Sequence, residues 1–141
     1  MLTQQQADKL IKALKDSTRK EAFAWLAEKA HNETFIAVQE DNLQFILSLK
    51  RNPFELRLHL RTKRENIGLM RIDNAKYHSN PDGTELHNTP HIHIYREGHD
   101  NTLPWAEPID WYDPGNPIET LERFLEKINA RFLSGIQLTF I

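Results

Sequence analysis

The chain contains no cysteine. Disulfides, cysteine nucleophiles and thiolate metal sites are excluded together, and the composition fits a reducing compartment. No apolar run approaches the ~20 residues that span a bilayer. The first residues, Met1–Asp8, carry neither the basic start nor the apolar stretch of a secretion signal. The expectation is a cytoplasmic protein that makes no membrane association. Glycine is scarce, at 5 of 141 residues, and none builds a phosphate-cradling loop. There is no Gly-x-Ser-x-Gly elbow, no His-Glu-x-x-His and no helix-turn-helix signature. Nucleotide hydrolysis, serine-esterase chemistry and thermolysin-type proteolysis are therefore not expected.

What is present fits one domain over residues 1–141, long enough to bury a core without staples. The net charge of -2 hides an uneven distribution. Residues 50–99 hold nine Lys/Arg against six Asp/Glu and six of the seven histidines, whereas residues 100–141 hold three against seven. A basic middle suits an anionic partner such as nucleic acid.

Two short helices are expected first. Thr3 and Gln6 have capping-box spacing ahead of Ala7, Leu10, Ile11 and Leu14. Thr18 and Glu21 repeat it ahead of Phe23, Leu26, Ala27 and Ala30. Strands follow: Thr34–Gln39, a turn at Asp41-Asn42, Leu43–Lys50, then Phe54–Lys63, whose alternation sends Phe54, Leu56, Leu58 and Leu60 inward and Arg57, His59 and Arg61 outward. Leu69–Asp73 continues the pattern. Asn80-Pro81-Asp82-Gly83 is a turn signal within an irregular stretch. Pro90–Arg96 is a strand with Ile92 and Ile94 inward and His91, His93 and Tyr95 outward. Trp105, Trp111 and Tyr112 lie in a proline-broken segment, where they either pin a loop or stack bases. Asn116 and Pro117 start a third helix, ended by Ser134-Gly135, and Ile136–Ile141 is a last strand. The sum is an α+β fold: a mainly antiparallel sheet of about five to six strands, with two N-terminal helices and one C-terminal helix packed on one face and the other face polar and open.

Chemistry concentrates on that open face. Arg57, His59, Arg61, Arg71 and Arg96 could grip phosphate, and His91 and His93, at i and i+2 on one strand face, could exchange protons near neutral pH. His78 and His87 lie close enough in sequence to assist, and Tyr95 could position a substrate. RNA cleavage without metal needs a base, an acid and a cation, and this set supplies all three. The alternative use of His78, His87, His91 and His93 is as ligands for zinc or manganese, with Asp73 or Asp82 as the carboxylate partner. A structural role for the histidines also stays open.

The stretch Asn80-Pro81-Asp82-Gly83 followed by Pro90-His91-Ile92-His93-Ile94-Tyr95-Arg96-Glu97-Gly98 resembles a family of small bacterial and phage-borne proteins of unknown function. The likeness takes in Gly68–Asp73 and Trp105-Ala106 and so spans roughly Gly68–Pro108. Such a setting on mobile elements implies a toxin–antitoxin or phage-defence role. Three functions follow as expectations. The first is a toxin-type, metal-independent endoribonuclease with no cofactor, working on RNA and held by a cognate antitoxin. The second is a non-enzymatic antitoxin, immunity protein or phage-encoded inhibitor that uses the basic face or the acidic last third to cover a protein partner. The third is a histidine-ligated metal-dependent hydrolase.

Overall fold

The computed structural model describes residues 1–99 and 102–138. Helix α1 spans Gln4–Lys12, and its capping box forms as the sequence requires: Thr3 accepts from the Gln6 amide while the Gln6 side chain accepts from the Thr3 amide. Among the described residues ten strands follow in order around one further helix: β1 (Lys15–Ser17), β2 (His31–Ala37), β3 (Glu40–Arg51), β4 (Leu56–Thr62), β5 (Gly68–Asp73), β6 (Tyr77–Ser79), β7 (Glu85–His87), β8 (His91–Ile94), β9 (Ala106–Pro108), α2 (Pro117–Ile128) and β10 (Ala130–Arg131). Eight of the strands form one sheet in the order β10-β1-β2-β3-β4-β5-β8-β9, antiparallel except for the β1–β10 pair. Strands β6 and β7 form a separate hairpin around Asn80-Pro81-Asp82-Gly83, with Gly83 at φ 89°.

The α+β class and the antiparallel sheet stand as expected, but the sheet has eight strands rather than five or six, and the described residues hold two helices rather than three. The helix expected from Thr18 does not form. Phe23 and Trp25 are fully buried while Leu26, on the supposed apolar stripe, is 46% exposed. Inward residues two apart belong to extended chain, and Phe23 makes a parallel bridge to Ile136. Trp25, the largest side chain of the segment, lies off the helical stripe, so burying it outweighs the local capping signal. The β2–β3 turn falls at Val38-Gln39, with Ala37 paired to Glu40, not at Asp41-Asn42. Phe54 is 83% exposed rather than inward. Asn116 caps α2 and Pro117 opens it as expected, yet the helix stops at Asn129, which takes a left-handed conformation, well before Ser134-Gly135. The final strand expected at Ile136–Ile141 reduces to the Ile136 bridge, and Thr139, Phe140 and Ile141 lie outside the described residues.

One sheet face is apolar. Phe45, Leu47 and Leu49 of β3, Leu58 and Leu60 of β4, Met70 and Ile72 of β5 and Ile92 of β8 join Leu121, Phe124, Leu125 and Ile128 of α2 in one core. At about 25 cal/mol per Å² of apolar surface, burial of each such side chain contributes about 1.5–3 kcal/mol. Among the described residues no helix is long and apolar enough to cross a membrane. The opposite face of the same strands carries the site.

Candidate metal centre

Strand register lays the polar face out as a two-row array. Asn32, Ser48, His59, Arg71 and His93 stand opposite one another from β2 to β8 in the first row. In the second, Lys50 pairs with Arg57 and Asp73 with His91. Continuing the β4–β5 register by one residue sets Arg57 opposite Asp73. The adjacency of Arg57, Arg71 and His93 that any phosphate chemistry would need is therefore present, on three neighbouring strands about 4.8 Å apart.

His91 and His93 do not face open water. They are 1% and 2% exposed, because the β6–β7 hairpin and the segment from Thr102 to Trp105 fold over that end of the face. The cover is fastened by Asn80, which both donates to the Ala106 carbonyl and accepts from the Ala106 amide, at 3.0 and 2.8 Å. The hairpin brings His78 against the two strand histidines, with ring centroids 5.5 Å from His91 and 4.8 Å from His93.

One ring nitrogen from each of His78, His91 and His93 lies within 4.8 Å of the others. One nitrogen of every ring is tied to a backbone carbonyl. His91 Nδ1 is 2.8 Å from the Thr89 oxygen, His93 Nδ1 2.6 Å from Leu103, and His78 Nε2 2.7 Å from Pro104. A carbonyl only accepts, so these contacts assign the proton to the outer nitrogens and leave a lone pair on Nε2 of His91 and His93 and on Nδ1 of His78. Nε2 of His91 and of His93 is buried without a hydrogen-bond partner among the described residues. Burial, with Arg71 next in importance, pushes His93 down to about 4, so its imidazole is neutral at pH 7.

Asp73 completes the cluster from β5. Its Oδ1 is 2.8 Å from His91 Nε2 and its Oδ2 is 3.5 Å from His93 Nε2. The first distance is that of a hydrogen bond, but the carboxylate oxygen lies off the direction of a ring N–H. The alignment matters more than the distance here, because a carboxylate oxygen beside a nitrogen lone pair is repulsive unless a cation lies between them. Arg71 Nε sits 3.2 Å from Asp73 Oδ2 and orients the carboxylate from behind. Three imidazoles with outer nitrogens fixed by backbone carbonyls, together with an oriented carboxylate, is the donor chemistry of a divalent transition-metal site. An ion held tetrahedrally at about 2.0–2.1 Å sets its nitrogens about 3.3 Å apart, so the imidazoles must swing inward by up to about 1.5 Å.

Other residues singled out from sequence fall elsewhere. His87 is exposed on the hairpin, paired with Glu85 at 3.0 Å, and is not among the clustered nitrogens. Tyr95 is 2% exposed, packs in the hydrophobic core and donates its hydroxyl to the Leu2 carbonyl, so it holds the segment ahead of α1 and is not one of the clustered residues. Arg96 stacks over Trp105, 4.0 Å from the ring centroid. Arg61 donates to the Ser48 hydroxyl. Asp82 caps the Thr84 amide at the hairpin tip. Tyr112 pins the proline-broken segment by bonding both the amide and the carbonyl of Leu56. Two contributors escape a search for chemical side chains: Asn80, which looks like an ordinary turn residue, and Lys50. The latter was readable, since it lies off the Phe45, Leu47, Leu49 stripe.

A cleft of about 390 Å³ opens beside Asp73, lined by Asn32, Ser48, Lys50, Arg57, His59 and Arg71 among others. Burial, reinforced by Arg71 and Arg61, pushes His59 on its floor down to about 4. No curated protein and no solved structure matches the chain. Residues 2–130 match the model of the family of unknown function DUF6978, and the chain belongs to that family.

Proposed function

We propose that this protein is a metal-dependent hydrolase whose ion is held by His78, His91 and His93, with Asp73 at its open side. The observation that carries this reading is that each of the three imidazoles is held through one ring nitrogen by a backbone carbonyl, while one nitrogen of each lies within 4.8 Å of those of the other two. Structural zinc sites are closed by four protein ligands, whereas catalytic ones keep a position for water. Here three imidazoles come from inside the fold, and Asp73, with its side chain 22% exposed, borders the cleft. A bound ion would supply a hydroxide nucleophile at neutral pH. Asp73, steadied by Arg71, would take the proton from the attacking water, and the covering hairpin would keep bulk water from the imidazoles.

The test is metal analysis of purified protein beside His91→Ala and His93→Ala, with ester hydrolysis followed before and after chelation. Near-stoichiometric zinc or manganese in the wild type alone, with activity lost on chelation and regained on metal addition, supports the reading. Wild-type protein that neither retains nor takes up metal refutes it.

A second reading uses the same residues without an ion, as an endoribonuclease of toxin type. It is favoured by the 2.8 Å approach of Asp73 to His91, which sets a carboxylate beside an imidazole as acid–base chemistry requires. Induced expression in a bacterial host, wild type beside the doubly substituted His91→Ala/His93→Ala protein, separates the two. Growth arrest with RNA cleavage that survives chelation of the purified protein favours the metal-free route.

A further inference from the structure

The cleft beside Asp73 holds more positive charge than the fold can use. Lys50 stands directly opposite Arg57 on neighbouring strands, a like-charge pair that costs stability in a sheet. Arg71 projects from the next strand into the same space, opposite His59, which burial and the flanking guanidiniums of Arg71 and Arg61 keep neutral. Among the described residues the carboxylates that answer these three cations are few. Asp73 takes Arg71, and Glu55, itself half-exposed, takes Arg57 at 2.9 Å. An exposed pair of that kind is weak and exchanges readily for a better anion. A solvated polar face would alternate its charges. This one steps outward from the clustered histidines as Asp73, Arg57, Lys50, one strand at a time.

We infer that this cleft receives the phosphoryl group of the substrate, so that the metal-centred hydrolysis proposed above is hydrolysis of a phosphate ester. Arg57 and Arg71 have the planar fork that meets two phosphoryl oxygens at once, and Lys50 supplies a point charge at the outer end. The Asn32 amide and the Ser48 hydroxyl, bonded to each other at 2.6 Å on the far wall, add polar groups without negative charge. With the phosphorus placed between Arg71 and the ion, hydroxide attack forms the new P–O bond. The bond to the ester oxygen breaks on the opposite side, and the leaving alcohol takes up a proton from solvent. The inference deepens the hydrolase reading, and it can fail separately from it.

The experiment compares wild-type protein with Lys50→Gln/Arg57→Gln, two exposed positions outside the core. Inorganic phosphate binding is measured by calorimetry, and hydrolysis of p-nitrophenyl phosphate and bis(p-nitrophenyl) phosphate is measured on metal-loaded protein. The expected result is phosphate binding by the wild type that weakens by about tenfold or more in the variant, the effect of losing one charge-assisted hydrogen bond. Metal content stays equal, and KM for the cleaved ester rises by a similar factor. Preference between the two esters distinguishes a monoester from a diester substrate. Wild-type protein that binds no phosphate, or a variant that binds it equally well, overturns the inference. Protein that holds no metal removes the hydrolase reading, while the phosphate titration still decides whether the cleft is an oxyanion site.

Discussion

Asp73 Oδ1 lies 2.8 Å from His91 Nε2 across the β5–β8 ladder, while the other nitrogen of the same ring is committed to the Thr89 carbonyl. The contact is therefore between two electron-rich atoms unless a proton or an ion separates them. Asp73→Asn tests which. An amide can still lie beside the imidazole and can even donate to its lone pair, but it carries no negative charge to balance an ion held by the three histidines. Metal affinity is expected to fall by 10- to 100-fold in this variant, the usual cost of disturbing the shell around a site, while thermal stability of the metal-free protein is preserved or raised. Competition with a chromophoric chelator gives the affinity. An unchanged affinity would remove Asp73 from the site.

Metal binding should also report through stability. An ion that binds only the folded chain at 100 times its dissociation constant adds about 2.7 kcal/mol. For a domain of this size that corresponds to a rise in Tm of roughly 8 °C. Zinc added to chelator-stripped wild type should give this shift, and zinc added to His93→Ala should give little. Equal shifts in both proteins would place the ion elsewhere, for example at the exposed Glu85–His87 pair.

Asn80 links fold to site. Its side chain is bonded twice to Ala106 and once, at 3.0 Å, to His78 Nε2, in a residue only 8% exposed. Asn80→Ala leaves a buried amide and a buried carbonyl without partners, at a cost of about 1–3 kcal/mol each. Because the β6–β7 hairpin is the element that carries His78, the loss should appear in metal affinity as well as in the denaturant midpoint. Asn80→Asp should recover part of it, since the carboxylate still accepts from the Ala106 amide. Hydrogen exchange at the hairpin amides would show whether the loss is local.

Most of the strands were legible because period-two alternation has few competing explanations: Leu56, Leu58, Leu60 against Arg57, His59, Arg61 can hardly be read otherwise. The same alternation placed Arg71, Asp73, His91 and His93 on one face, and the register aligns them. It could not reveal that this face is covered, because the cover is the β6–β7 connection between β5 and β8 folding back over its own strands, fastened by backbone carbonyls that no side-chain pattern records. Nor could it separate His78, which joins the strand histidines, from His87, which is exposed on the neighbouring strand of the same hairpin, one position beyond His78's partner Leu86. The helix expected at Thr18 failed for a related reason. Its capping spacing is local, whereas Phe23 stacks on Phe132 at 4.5 Å and Trp25 is sealed in a core assembled from the whole chain.

That correction is itself testable. If the segment were a helix with Leu26 on its buried stripe, Leu26→Ala would cost more than a surface change. In the observed fold Trp25→Ala should cost about 3–5 kcal/mol, as large-to-small changes in a closed core do, while Leu26→Ala and Phe54→Ser stay within about 0.5 kcal/mol of wild type. Denaturant melts of the three variants settle the order. A costly Leu26→Ala beside a mild Trp25→Ala would restore the helix.

Lys15 offers a stability test with a defined sign in pH. It is fully buried, and its Nζ donates to the carbonyls of Ile11, Ala13 and Ile128, so a single ammonium closes the C-terminal ends of both α1 and α2. Burial pushes it from 10.5 down to about 7. Between those values the unfolded chain binds the proton that the folded chain has begun to release, so stability rises with pH from about 7 and levels off near 10.5. The limiting slope is about 1.4 kcal/mol per pH unit. Below about 7 both states carry the proton and this contribution to the slope vanishes. Lys15→Met should remove the rise while lowering stability at every pH, because three helix-terminal carbonyls lose their donor. Denaturant midpoints of wild type and variant at pH 6, 7, 8 and 9 measure the difference, in which the titration of all other groups cancels. A wild-type curve that runs parallel to the variant's across this range would mean that the three carbonyls hold the proton strongly enough to offset the burial, and that Lys15 stays an ammonium throughout.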